Sequence, residues 1–225
     1  MRPHMAASIN RCFHVPMDVS ATCFLPSNHQ LGGYLEGVSV AIAFETIKPE
    51  VDRLRNFIVG DLDYLISHDR GGNYLAAALI TCASDALSYL KYGDRNKGER
   101  FFEDIIPSEW KSLAASLYEA IRDGIVHSYD TKIICVGSRK IIVNISWGAK
   151  PHFHLSQDRK TIHINIKNLA ADFKDALKRF EADLKNKPAL RETFESSMRK
   201  SREISIPNNQ RAGWEQCLSK MKVAN

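Results

Sequence analysis

The sequence has no apolar run near the roughly 20 residues that a membrane-spanning helix needs. The apolar stretch from Val38 to Phe44 falls far short of that length. The N-terminal region has no continuous apolar stretch of secretory length, so the expectation is a cytoplasmic chain without membrane contact. There is no CxxC pair either. The five cysteines (Cys12, Cys23, Cys82, Cys135 and Cys217) are scattered and odd in number, which argues for reduced thiols over a disulfide framework or zinc knuckle. With no internal repeat and no low-complexity tract, solenoid and fibrous architectures are excluded.

What the sequence does contain is an ordinary globular balance, with 44% hydrophobic and 25% charged residues. Its 225 residues fit one large domain, or one domain with an appendage, and allow a core that needs no staples. Residues 1–28 show no period and read as a poorly ordered arm. Val38 to Phe44 suits a short strand or a helix start equally. From Pro49 the apolar steps Val51, Leu54, Leu62 and Leu65 are helical, ending at Gly71-Gly72. Asn73 is placed to cap an alanine-rich helix to Leu90, and Ser108 to cap another through Leu113, Leu117, Ile121 and Ile125 to about Tyr129.

The period then changes to two. Lys132 to Val136 and Lys140 to Trp147 read as a hairpin through Gly137-Ser138, and His152 to Leu155 with Thr161 to Lys167 as a second around Gln157-Asp158. Asn168 and Pro188 open two amphipathic helices, and Trp214 and Leu218 suggest a last docked turn. The expected fold is therefore α+β. It comprises a helical domain over 29–131, a small antiparallel sheet with a C-terminal helical pair over 132–206, and a tail over 207–225.

Within the helix leading to Tyr129, Arg122 is followed by Asp123 and, four intervening residues on, by His127. This resembles the R-x4-6-H signature of the HEPN superfamily, and the likeness extends over Pro49 to Tyr129, about a third of the chain. The resemblance implies a HEPN-like helical bundle that dimerises, with the two motifs sharing a cleft. It further implies a metal-independent RNA endonuclease of toxin–antitoxin or defence systems, needing no cofactor, with an antitoxin as a further partner. The alternative is a non-catalytic HEPN-like nucleotide- or RNA-binding or dimerisation module. The chemistry suits cleavage, because an imidazole can take the 2′-hydroxyl proton near neutral pH and a permanently charged guanidinium can offset phosphorane charge.

In an ideal helix, however, residues five apart lie about 140° apart around the axis, whereas Arg122 and Tyr129 share one stripe. Local distortion at Gly124, a long arginine or a two-fold partner would each close that gap. Asp123 is expected to orient the motif. Asp85 is either a buried polar partner of it or a solvated helix turn. Tyr129 is either a packing residue or, by the resemblance, a site that an antitoxin modifies. His152, His154 and His163 read as structural or surface histidines, with no metal site. Between Lys132 and Lys167 seven basic residues face Asp158 alone, a net +6 in a chain of net +5. Arg139, Lys140, Arg159 and Lys160 are the expected RNA contacts, unless they serve only as edge charges against aggregation.

Overall fold

The computed structural model describes residues 41–67, 71–94, 97–148, 151–202 and 207–220. The arm over 1–28 lies outside them. Four helices come first: α1 (Phe44–Ser67), α2 (Asn73–Tyr92), α3 (Gly98–Phe102) and, after a 3-10 helix (Ser108–Leu113), α4 (Ala114–Ser128). Strands β1 (Ile134–Val136), β2 (Arg139–Ser146), β3 (His154–Leu155) and β4 (Thr161–Asn165) follow, then α5 (Ile166–Asn186), α6 (Pro188–Ser201) and α7 (Asn208–Lys220). The fold is mixed α+β. Among the described residues no helix is long and apolar enough to cross a membrane.

Helix α2 is the hub, touching α1, α3, α4, α5, α6 and β2. Its buried positions explain how one helix can have so many neighbours: Ala76, Ala77, Thr81, Ala83, Ser84 and Ser88 are small, and Ile80 and Leu87 supply the volume. Small side chains let other backbones approach closely on several sides. Two of the buried hydroxyls are satisfied within the helix, Thr81 donating to the Ala77 carbonyl at 3.0 Å and Ser84 to that of Ile80 at 2.8 Å. Phe101 of α3 meets Phe173 and Phe180 of α5 edge-on at 6.3 and 6.0 Å. Arg191 is buried, donating to the carbonyls of Leu184 and Lys185 at the end of α5 and to that of Ile42 ahead of α1.

Several helix starts differ from the sequence reading. Helix α1 begins at Phe44, because Phe44, Ile47 and Val51 already form its apolar stripe and Pro49 removes only one early backbone bond. Asn73 does not cap α2; Gly72, at φ 82°, holds that position, and the Asn73 amide instead donates to the Ile145 carbonyl at 2.8 Å. The segment after Ser108 winds first as a 3-10 turn, Trp110 N–H bonding Pro107 C=O at 2.9 Å, and Ser108 bonds Glu109 rather than backbone. Asn165, not Asn168, caps α5: its side chain accepts from Lys167 and Asn168 N–H at 3.0 and 3.3 Å. Ile166 therefore leaves the strand and enters the core. Trp214 and Leu218 are exposed on α7, so that helix has no docked apolar face.

The expected antiparallel sheet is mixed, with strand order β1-β2-β4-β3. Both hairpins form, but β2 pairs in parallel with β4, from Ile142 opposite Thr161 to Ser146 opposite Asn165. The arrangement follows from burial. Strand β4, with Ile162 and Ile164 buried, takes the inner place, while the two-residue β3 is left at the edge.

If α2 depends on small residues, Ala77→Leu should destabilise the protein by about 1–3 kcal/mol through overpacking, while Ala171→Leu on the exposed side of α5 should change it by less than about 0.5 kcal/mol. Denaturant unfolding of both variants measures the contrast; equal effects would contradict it.

Candidate functional site

The site forms where α2, α3 and α4 meet. Helix α4 runs unbroken from Ala114 to Ser128, so of the three ways of closing the Arg122–His127 gap, local distortion at Gly124 does not apply. Gly124 serves a different need: the chain beyond the helix folds back over it, and a Cβ there would lie 2.6 Å from Lys132 N and 2.8 Å from the Thr131 Cα. That return is fixed by Lys132 N–H bonding the Ala120 carbonyl at 2.9 Å, and it brings Lys132 beside the motif.

Arg122 is held on two sides. Its Nε donates to Asp85 Oδ2 at 2.9 Å and its Nη1 to Asp123 Oδ1 at 2.8 Å. Of the two readings of Asp85, the structure supports the polar partner. Its second oxygen accepts from the Tyr118 hydroxyl, and Lys132 reaches Asp123 Oδ2 at 3.3 Å. An open pocket of about 370 Å³ lies over this network, lined by Asp85, Gly98, Glu99, Tyr118, Arg122 and Asp123 among others. The lining is acidic, with four carboxylates, Glu119 included, against one guanidinium.

The electrostatics are those of a satisfied network. Bonds to Asp123 and then Asp85 raise the Arg122 guanidinium further above its already high range, so it is always charged. Burial first, and the bond to Asp85 second, push the Tyr118 phenol well above its ordinary value, so it stays a donor. Asp123 is held below the usual carboxylate range, chiefly by Arg122.

His127 lies outside this pocket. It is exposed near the end of α4 and has no hydrogen-bond or ion-pair partner among the described residues. Arg122 and His127 thus face different ways on α4, as their five-residue separation on a regular helix requires. Tyr129 caps α4 in the left-handed region at φ 53°, 66% exposed, its ring 5.9 Å from that of Tyr74.

The four basic residues of the sheet are brought together. Because β2 and β4 are parallel neighbours, the turns before them lie side by side at one end of the sheet, with Ile142 N–H bonding the Lys160 carbonyl at 2.8 Å. Arg139, Lys140, Arg159 and Lys160 are all exposed and in no ion pair among the described residues. Asp158 is occupied inside its own turn, accepting from Ser156 Oγ at 2.5 Å and Lys160 N–H at 3.1 Å. His152 is structural: Asp172 Oδ2 lies 2.8 Å from its Nε2, and its Nδ1 accepts from Asn165 N–H at 3.1 Å. His154 and His163 pair across β3 and β4. Among the described residues no three His, Cys, Asp or Glu side chains converge as metal ligands.

Sequence reasoning missed Tyr118, Gly98 and Lys132. Tyr118 was within reach, since it lies four residues before Arg122 on the same helix stripe. Gly98 and Lys132 come from chain segments whose path over the motif has no local signal.

The depressed Asp123 carboxyl gives a sign-definite expectation. A group whose folded pKa is lowered adds stability above its unfolded pKa, near 4 for aspartate, and loses it as pH falls through the lower folded value. The melting-temperature gap between wild type and Asp123→Asn should be open at pH 7 and narrow as the pH falls below the unfolded aspartate value near 4. A gap constant over that range would show that the Arg122–Asp123 pair adds no stability. Set against protein-family models, curated proteins and solved structures, the chain matches none.

Proposed function

We propose that the protein is a metal-independent RNA endonuclease of HEPN type that acts as a homodimer, with Arg122 and His127 as catalytic pair and Asp123 and Asp85 orienting the arginine. The supporting observation is the state of the two side chains on α4. The arginine is held at the mouth of an open pocket, and the imidazole is exposed and unengaged. The imidazole takes the 2′-hydroxyl proton, the 2′-oxygen attacks phosphorus, the bond to the 5′-oxygen breaks, and that oxygen takes a proton from solvent water to leave as a hydroxyl while the imidazolium returns its proton to solvent. Arg122 offsets the charge of the phosphorane, and the product carries a 2′,3′-cyclic phosphate.

Since one protomer does not bring Arg122 and His127 together, the reading requires a second copy. The exposed sides of α2 and α4 suit one, with Leu75 at 49% and Val126 at 51% exposure beside Tyr129. Most of the alanines of α2 do not serve this purpose, because Ala76, Ala77 and Ala83 are buried within the chain, whereas Ala86 is exposed. The basic turns supply the electrostatic affinity for RNA. An antitoxin partner and a toxin–antitoxin or defence role belong to the same reading, for which Tyr129 offers an exposed hydroxyl.

The second reading is a non-catalytic HEPN-like nucleotide- or RNA-binding or dimerisation module. One observation favours it: Asp85 and Asp123 already neutralise Arg122, and the surrounding acidic lining repels a phosphate.

Three outcomes together support the first reading. The protein scatters light as a dimer at micromolar concentration. It cleaves RNA but not DNA in the presence of EDTA, and His127→Ala and Arg122→Ala each lower the rate by about 10²- to 10⁴-fold without unfolding. A folded dimer that binds RNA and never cuts it selects the second reading.

Replacing Arg139, Lys140, Arg159 and Lys160 by glutamine should weaken RNA binding. On single strands it should also lower the steepness of the salt dependence by about 0.7 for each phosphate no longer neutralised. Fluorescence anisotropy between low and physiological salt reads both. Unchanged affinity and slope would leave these charges a role in solubility alone.

A further inference from the structure

The pocket includes a buried group that the proposed chemistry does not use. Tyr118 lies one turn before Arg122 on α4, almost fully covered, with its ring 5.7 Å from that of Phe102 on α3. Its hydroxyl donates across to Asp85 on α2, and the other oxygen of Asp85 accepts the Nε–H of Arg122, returning the connection to α4. A carboxylate rotates readily about its last torsion. With one oxygen fixed by a buried phenol, the other can face in only one direction.

The third element closes over this pair. Gly98, the buried first residue of α3, sits so near them that any Cβ would overlap both Asp85 Oδ1 and the Tyr118 hydroxyl. The residue before it is tied to α2, since Ser88 Oγ donates to the Lys97 carbonyl. The α3 backbone is thus packed directly against the Tyr118–Asp85 bond.

We propose that Tyr118 is a positioning residue for Arg122, acting through Asp85 and kept in place by the α3 backbone at Gly98. A purely structural tyrosine here would be replaceable by phenylalanine, which keeps the contact with Phe102. A positioning tyrosine is not replaceable, because without its hydroxyl Asp85 is free to turn and the guanidinium fork loses its fixed direction. Asp123 alone then grips Arg122, through a single Nη1 bond. The consequence for activity rests on the ribonuclease reading; the consequence for the order of Arg122 does not.

The test follows the Arg122 Nε–H by nitrogen–proton NMR in the full chain and, alongside it, RNA cleavage, in wild type, Tyr118→Phe, Asp85→Asn and Gly98→Ala. Tyr118→Phe should speed exchange of that proton about tenfold, the worth of one lost hydrogen bond, while leaving the other amides as they are. Its kcat should fall by about 10- to 10²-fold with KM nearly constant, since misdirection of a held group acts on the chemical step. Gly98→Ala should reproduce both effects; if it does not fold, Tyr118→Phe decides alone. Unchanged Arg122 exchange in Tyr118→Phe, with exchange protection lost in Asp85→Asn, would overturn the role of Tyr118. If exchange responds as expected and no form cuts RNA, the positioning role stands and the ribonuclease reading falls.

Discussion

Close packing around α2 is the constraint on which the rest of the structure depends. Five helices and a strand gather on one helix only because its buried positions are mostly alanine, serine and threonine. The serine and threonine hydroxyls would be costly among so many neighbours if left without partners. Bonding back to their own helix turns, as Thr81 and Ser84 do, keeps the surface of α2 narrow and chemically quiet. Larger residues at these places would push the neighbours outward and separate the elements that form the site.

The same helix sets the electrostatics. Asp85 is half-buried on α2, between the buried Ser84 and Leu87, and it reaches α4 because the two helices lie so close. Arg122 is therefore a guanidinium with a definite direction whose charge is largely cancelled by its immediate surroundings. Its field is strongly local, unlike that of the four cations at the end of the sheet, which have no acidic partners among the described residues and act over a Debye length. Paired, local positive charge and unpaired, longer-ranged positive charge thus belong to separate parts of the molecule.

Much of this is legible in the sequence. The stripes of α4, α5 and α6 follow the helical period, whereas on α2 Leu75, Cys82 and Ala86 of the apolar pattern are exposed; both hairpin turns are marked by Gly137-Ser138 and Gln157-Asp158, and the geometric conflict between Arg122 and His127 follows from their spacing alone. What is not legible depends on competition between nearby residues or on distant segments. Asn165 and Asn168 are equally good caps by type, and burial of Ile166 decides between them. Asn73 is a good cap by type too, but the Ile145 carbonyl, 72 residues on, claims its side chain. The parallel pairing of β2 with β4 turns on which strand has more apolar surface to cover. Tyr118 reads as one more core aromatic because its hydroxyl partner comes from another helix.

Arg191 has a consequence for the order in which the molecule can be completed. Its guanidinium joins the end of α5 to the carbonyl of Ile42, 149 residues earlier. Helix α1 likewise packs on α5 and α6 as well as α2. On a ribosome α1 is made before every other described helix, yet two of its three helical partners are made after the sheet. Its apolar stripe must wait through that synthesis, paying the loop-closure entropy of a very long loop before any of those contacts form. Folding is therefore a late closing event, in which helices made after the sheet capture the one made first.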